Sequence, residues 1–118
     1  MTPQEMKELD RWLAAFMKFH FIETSSGELQ YIDKSSCKFV CLFNDWHPTT
    51  SIEQAMMCVE KLKGDNYRFI FKLFADINEA YVYKHDPCEY DATALTWHSG
   101  KEPLELAICL AIRKAVEK

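Results

Sequence analysis

Trp46–Gly64, WHPTTSIEQAMMCVEKLKG, decides how the rest of the chain is read. Pro48 breaks regular structure and biases His47 toward extended backbone. Thr50 or Ser51 then offers an N-cap hydroxyl for a helix over Ile52–Lys63. Ile52, Ala55, Met56, Val59 and Leu62 or Lys63 form one apolar stripe, and Gly64 supplies the stop. A β-rich run, Lys38–Phe43 (KFVCLF), leads into this stretch and ends at Asn44-Asp45. A strongly alternating run, Tyr67–Ala75, leaves it.

On the N-terminal side, Thr2-Pro3-Gln4-Glu5 is a helix start in which Thr2 and Glu5 can cap one another and Pro3 lacks an N–H that would go unused. Met6, Leu9, Leu13, Phe16 and Met17 recur at helical spacing, with Trp12 and Phe19 widening the stripe. Phe21–Gly27 reads as a loop, Leu29–Asp33 as a short strand and Ser35-Ser36 as a turn. On the C-terminal side, Tyr67–Ala75 and Ala80–His85 form an antiparallel hairpin through Asp76–Glu79. A polar excursion runs from Asp86 through Asp91, Ala92–Trp97 reads as another strand, and Ser99-Gly100 as a turn. Glu102-Pro103 starts a closing helix with Leu104, Ala107, Ile108, Ala111, Ile112 and Ala115 on a wide apolar face, so this helix must be largely covered. The implied order is α-β-β-α-β-β-β-α. This is an α+β fold, a mainly antiparallel sheet sandwiched by three helices, in a single domain over 1–118.

The composition limits the function classes. The chain has 118 residues, 48% hydrophobic, with a formal net charge of -4. Acidic and basic residues are interspersed, without the basic face of a duplex nucleic-acid binder. Cys37, Cys41, Cys58, Cys88 and Cys109 make an odd set without a CxxC pair, and the first residues form no secretory signal. A reduced, cytoplasmic protein is expected. The apolar run Phe39–Phe43 is far too short to span a bilayer. Cys37 and Cys41 are expected on one face as buried thiols. His85-Asp86-Pro87-Cys88 has no second Cys/His pair nearby to make it a metal site. Serine-hydrolase, zinc-protease, P-loop and dinucleotide fingerprints do not occur, so no catalytic residue, metal or cofactor is expected.

Candidate ligand-binding residues are Trp46, His47, Thr50, Ser51, Tyr83 and Arg113. Free N–H groups and the dipole at the start of the middle helix favour an anion. Thr49, Thr50 and Ser51 add hydroxyls there, and Trp46 and His47 offer rings to a base or sugar. The plainer alternative is that Thr50 or Ser51 caps the helix while Trp46 packs on the core. Arg113 lies in a mostly apolar helix, where it either snorkels to water or turns its fork toward a phosphate or carboxylate. Phe69, Phe71, Tyr81 and Tyr83 make either an aromatic wall for a base or ordinary core.

Three stretches carry a family likeness. HPTTSIEQAMMCVEKL has a proline, a Ser/Thr-rich turn, an apolar helix and a V-E-K-hydrophobic sequence. EPLELAICLAIRKAV has a P-L-A-I-C core, and MTPQEMKELD opens the chain. Together they resemble the phage ABA sandwich domain. The resemblance implies a small phage or prophage accessory protein. One branch associated with the architecture is the Thoeris anti-defence type, molecular sponges that bind a cyclic ADP-ribose signal between protomers without cleaving it. A closing-helix arginine binds ligand there, and Arg113 is the matching position. The expected protein is therefore a non-enzymatic binder of a small anionic, nucleotide-like ligand in the cytoplasm of the bacterial host. The alternative is an accessory protein–protein interaction module inhibiting a host protein. The wide apolar face of the closing helix leads to the expectation of a homodimer or larger homo-oligomer.

Overall fold

A computed structural model of the chain describes residues 1–65, 67–84 and 96–117. It divides into two compact units, Met1–His47 and Pro48–Lys118.

The first unit begins with α1 (Pro3–Phe16), opened by the expected capping box: Glu5 N–H donates to Thr2 Oγ1 at 3.1 Å and Thr2 N–H to the Glu5 carboxylate at 3.2 Å. These bonds hold the Glu5 carboxyl below its ordinary range. The helix buries Leu9, Asp10, Leu13 and Ala14. Lys18, at φ 62°, turns the chain out of the helix and straight into β1 (Phe19–Glu23). The segment expected to be a loop from Phe21 is thus strand as far as Glu23, and the turn itself is confined to Thr24–Glu28. Thr24 N–H donates to Glu28 O at 2.8 Å there, and Gly27 supplies a φ of 86°. Apolar residues fall on both faces of Phe19-His20-Phe21-Ile22, which hides the alternation. Pairing with β2 (Leu29–Asp33), Phe21 opposite Tyr31, makes it a strand. β3 (Phe39–Leu42) completes an antiparallel sheet of order β1-β2-β3, with a register shift between Tyr31 and Ile32. Cys37 and Cys41 are not a buried pair. Cys37 is exposed, at φ 57° in the turn before β3, and Cys41 is half-buried within it.

The second unit begins with α2 (Ile52–Gly64). It buries Ala55, Cys58, Val59 and Leu62, so the stripe is rotated from the expected one: Cys58 is inside and Ile52 is 43% exposed. Gly64 does not stop the helix but forms its last residue, and Asp65 caps it with its N–H on Leu62 O at 3.0 Å. β4 (Tyr67–Leu73), β5 (Asn78–Lys84) and β6 (Thr96–Gly100) form a second antiparallel sheet, order β4-β5-β6. β4 ends before the expected Ala75, because Phe74 N–H already turns to Ile77 O at 2.9 Å. Ser99 and Gly100, expected as a turn, are strand opposite Glu79 and Asn78. The expected excursion after Asp86, the His85–Cys88 cluster and positions 92–95 lie outside the described residues.

α3 (Leu104–Val116) packs on α2, β5 and β6. Its face Leu106, Ala107, Ile108, Cys109, Ala111, Ile112 and Ala115 is buried together with Ala80 and Val82 of β5. The described elements run α-β-β-β-α-β-β-β-α with every strand pairing antiparallel, which is the expected α+β class with its strands divided between two sheets.

The rotation of α2 and the burial of α3 can be measured together. Ile108→Ala is expected to lower the unfolding free energy by about 2–4 kcal/mol in urea titration. Ile52→Ala should change it by less than about 1 kcal/mol. Comparable losses at both positions would contradict the packing.

Candidate functional site

In the first unit the aromatic residues gather beside α1. Phe19 meets Trp46 edge-on at 4.9 Å, Phe21 meets Phe43 at 5.0 Å, and Tyr31 meets Phe43 at 5.4 Å between ring centroids. Trp46, 5% exposed, donates its indole N–H to the backbone carbonyl of Asp10 at 2.8 Å. This partner is what a buried indole requires, since the ring is apolar and its N–H is not. Trp46 is therefore a packed side chain whose rim borders a cleft, not a ring free to stack on both faces.

That cleft, of about 200 Å³, is lined by Lys7, Asp10, Arg11, Tyr31, Phe43, Asn44, Trp46 and His47. Lys7 and Arg11 stand one helical turn apart on α1, and the Arg11 guanidinium lies 5.9 Å from the centroid of the Phe43 ring. Burial pushes the Tyr31 phenol up, against the pull of Arg11 and with help from Cys41 and Asp10, so at neutral pH it remains a hydrogen-bond donor. The cleft thus combines two basic side chains, a histidine, aromatic walls and one buried acidic side chain, Asp10. Asp10 limits how deep an anion can sit, because like charges at close range repel.

Lys7, Arg11, Tyr31 and Phe43 were not among the sequence candidates. The available signal was the Lys7–Arg11 spacing on the polar edge of α1, which only folding aligns with Trp46 and His47.

The other sequence candidates belong to the second unit and have separate settings. Ser51, not Thr50, is the N-cap of α2, its Oγ accepting from Gln54 N–H at 3.3 Å, while Thr50 is exposed. The Ser51 hydroxyl thereby gives one acceptor lone pair to the helix. Arg113 pairs through Nε with Glu117 at 3.1 Å, one turn along α3, with its side chain 39% exposed. Tyr83 lines an open groove of about 610 Å³ between α2 and β4, with Met56, Val59, Phe69 and Phe71 among its walls.

A polar cluster ties β6 to α3. His98 Nε2 meets Glu102 Oε2 at 3.1 Å, His98 Nδ1 meets Lys114 Nζ at 3.4 Å, and Asn78 donates to Glu102 O at 3.0 Å. Gly100 leaves the room that the Glu102 carboxylate occupies, since a Cβ there would collide with it. Hydrogen bonding from the Glu102 backbone, followed by the His98 ring, holds this carboxyl below its usual range. Among the described residues no group of three or more His, Cys, Asp or Glu side chains is placed to hold a metal, and no helix is long and apolar enough to cross a membrane.

These features define a small α+β protein whose clefts are lined by aromatic rings and basic side chains. A family model for the phage ABA sandwich domain matches residues 11–112, and the chain belongs to that family of phage protein domains. The middle-helix stretch falls within the matched range and the closing stretch does so as far as Ile112, so Arg113 and the opening MTPQEMKELD lie outside it. Comparison with curated proteins gives no match, and neither does comparison with solved structures.

Two outcomes check the site. Trp46→Phe keeps an aromatic ring but leaves the Asp10 carbonyl without its indole partner, and should cost about 1–3 kcal/mol of stability in denaturant titration. Because the folded carboxyl of Glu102 is held below 4.5, its contribution is present above that pH and lost as pH falls through the depressed value. The melting temperatures of wild type and Glu102→Gln should therefore differ near neutral pH and converge once the solution is acidic enough to protonate that lowered carboxyl.

Proposed function

We propose that this phage accessory protein captures a small anionic, ring-bearing ligand of the cyclic nucleotide or cyclic ADP-ribose class and holds it without cleaving it, sequestering an immune signal in the cytoplasm of the bacterial host. The observation that carries this reading is the convergence of Lys7, Arg11 and His47 with the aromatic side chains of Tyr31, Phe43 and Trp46 around one cleft. Cations supply the attraction for phosphate, and Arg11 can present its fork in a bidentate contact. Rings give a base or sugar an apolar surface.

At about 200 Å³ the cleft is smaller than a drug-sized pocket of roughly 300–1,000 Å³. It takes one ring or one phosphate, and the remainder of the ligand is covered by a second protomer in a homodimer or larger assembly. Exposed apolar side chains on the strands of the same unit, Phe21, Leu29, Phe39 and Leu42, support such an assembly. A protein–protein interaction module is the alternative, favoured by the open groove between α2 and β4.

Thermal shift across cyclic nucleotides and cyclic ADP-ribose isomers should find a ligand that raises the melting temperature, and mass spectrometry should recover it intact after the protein is denatured. Exposed Arg11 can be changed to Glu without disturbing the core, and loss of one charge-assisted contact should weaken binding at least about tenfold. No shift with any member of the panel removes the sequestration reading, and a cleaved product replaces it with an enzyme. A monomer in light scattering, with and without ligand, removes the shared pocket.

A further inference from the structure

β4 is an outer strand of its sheet, and among the described residues it pairs with β5 alone. Its two faces differ. Phe69 and Phe71 stand opposite Val82 and Ala80, on the side packed by α2, and their rings lie 4.9 Å apart. With Met56 and Val59 they line the groove, which also reaches Arg68, Ile70 and Tyr83. Arg68, Ile70 and Lys72 occupy the other face and are all exposed; the Lys72 ammonium lies 5.0 Å from the centroid of the Tyr81 ring. Neither Arg68 nor Lys72 makes an ion pair among the described residues. Lys72 stands opposite Glu79, whose carboxylate accepts from the Tyr81 hydroxyl instead.

An outer strand presents a row of unpaired backbone donors and acceptors, a template for one more strand. The charges on β4 select what can pair there. In a fully overlapped antiparallel pair of two copies, centred on Ile70, Arg68 of each copy would stand opposite Lys72 of the other. Like charges placed directly opposite are destabilising, so this edge disfavours its own copy. The same two cations favour a strand of opposite sign. Phe69 and Phe71, with Met56 and Val59, give the groove an apolar stretch, bordered by Glu60 and Lys63, for the side chains on that strand's other face.

We propose that β4 receives an extended segment of a partner protein as a fourth strand, and that the segment reads acidic, apolar, any residue, apolar, acidic. The acidic residues stand opposite Arg68 and Lys72, and the apolar ones enter the groove against Phe69 and Phe71. This surface is independent of the Lys7–Arg11 cleft and of any small ligand.

Fluorescence anisotropy with the whole protein tests it. A labelled peptide with the core Glu-Val-Thr-Val-Glu should bind saturably, and one with the core Lys-Val-Thr-Val-Lys about tenfold or more weaker, since two cross-strand pairs change sign. The double variant Arg68→Glu, Lys72→Glu alters only exposed side chains and should reverse that preference with an unchanged circular dichroism spectrum. Met56→Asp, which makes one wall of the groove polar, should weaken both peptides. Equal binding of the two peptides, binding of neither, or an unreversed preference in the double variant overturns the proposal. So does a homodimer dissociated by Met56→Asp, which would place a second copy in the groove.

Discussion

Removing the apolar surface of α3 from water is the constraint from which the second unit follows. Burial of each large aliphatic side chain such as Ile108 or Ile112 contributes about 1.5–3 kcal/mol, so leaving that face open would forfeit more than a small unit can spare. Ala107, Ala111 and Ala115 recur every four residues and are all buried. Their small side chains let neighbouring elements approach closely. α2 meets this surface with Ala55, Cys58, Val59 and Leu62 buried, and β5 with Ala80 and Val82. The rotation of α2 is set by that meeting. It leaves Ile52 in solvent and turns Met56 toward β4, where the groove opens. The groove is thus a by-product of how α3 is covered, which is why its walls come from three elements, α2, β4 and β5, that share few sequence cues.

The first unit rests on a different device. Its core joins Leu9, Leu13 and Ala14 of α1 to the rings of Tyr31 and Trp46, and Phe19, Phe21 and Phe43 meet those rings and one another edge-on or tilted. The indole bond from Trp46 to the Asp10 carbonyl joins the end of the unit to the middle of α1, across 36 positions of sequence. It brings the polar edge of α1, with Lys7 and Arg11, beside Tyr31 and Phe43. Side chains that individually look like surface charges and core rings become the wall of one cleft. The buried Asp10 belongs to the same arrangement and gives the cleft an acidic floor beside its basic rim.

Some of this was legible in the residues. The Thr2–Glu5 capping box, the hairpin of β4 and β5, the wide apolar face of α3 and the middle helix all arise from patterns within a few residues of one another, and the chain carries them wherever it goes. The phage family likeness in the middle and closing helices rests on the same local patterns. Trp46 and His47 were marked as site candidates and do share a cleft, but their companions there were invisible. The charges come from α1 rather than from Arg113, whose guanidinium is engaged by Glu117. Ser51 was marked for its hydroxyl, which the helix uses as its cap.

The division between the two follows the range of the forces. Periodicity, capping and turn chemistry act over three or four residues, so sequence settles that helices begin after Thr2, Ser51 and Pro103 and that β4 and β5 form a hairpin. Which face of a helix is buried depends on where another element's apolar surface lies, and that is a contact between distant residues. The strand at Phe19–Glu23 exists because β2 satisfies its backbone, the Cys58 face of α2 is inside because α3 needs cover, and Lys7 shares a cleft with Trp46 because an indole finds a carbonyl on α1. Only the folded chain makes those choices, since each depends on a partner that local sequence does not contain.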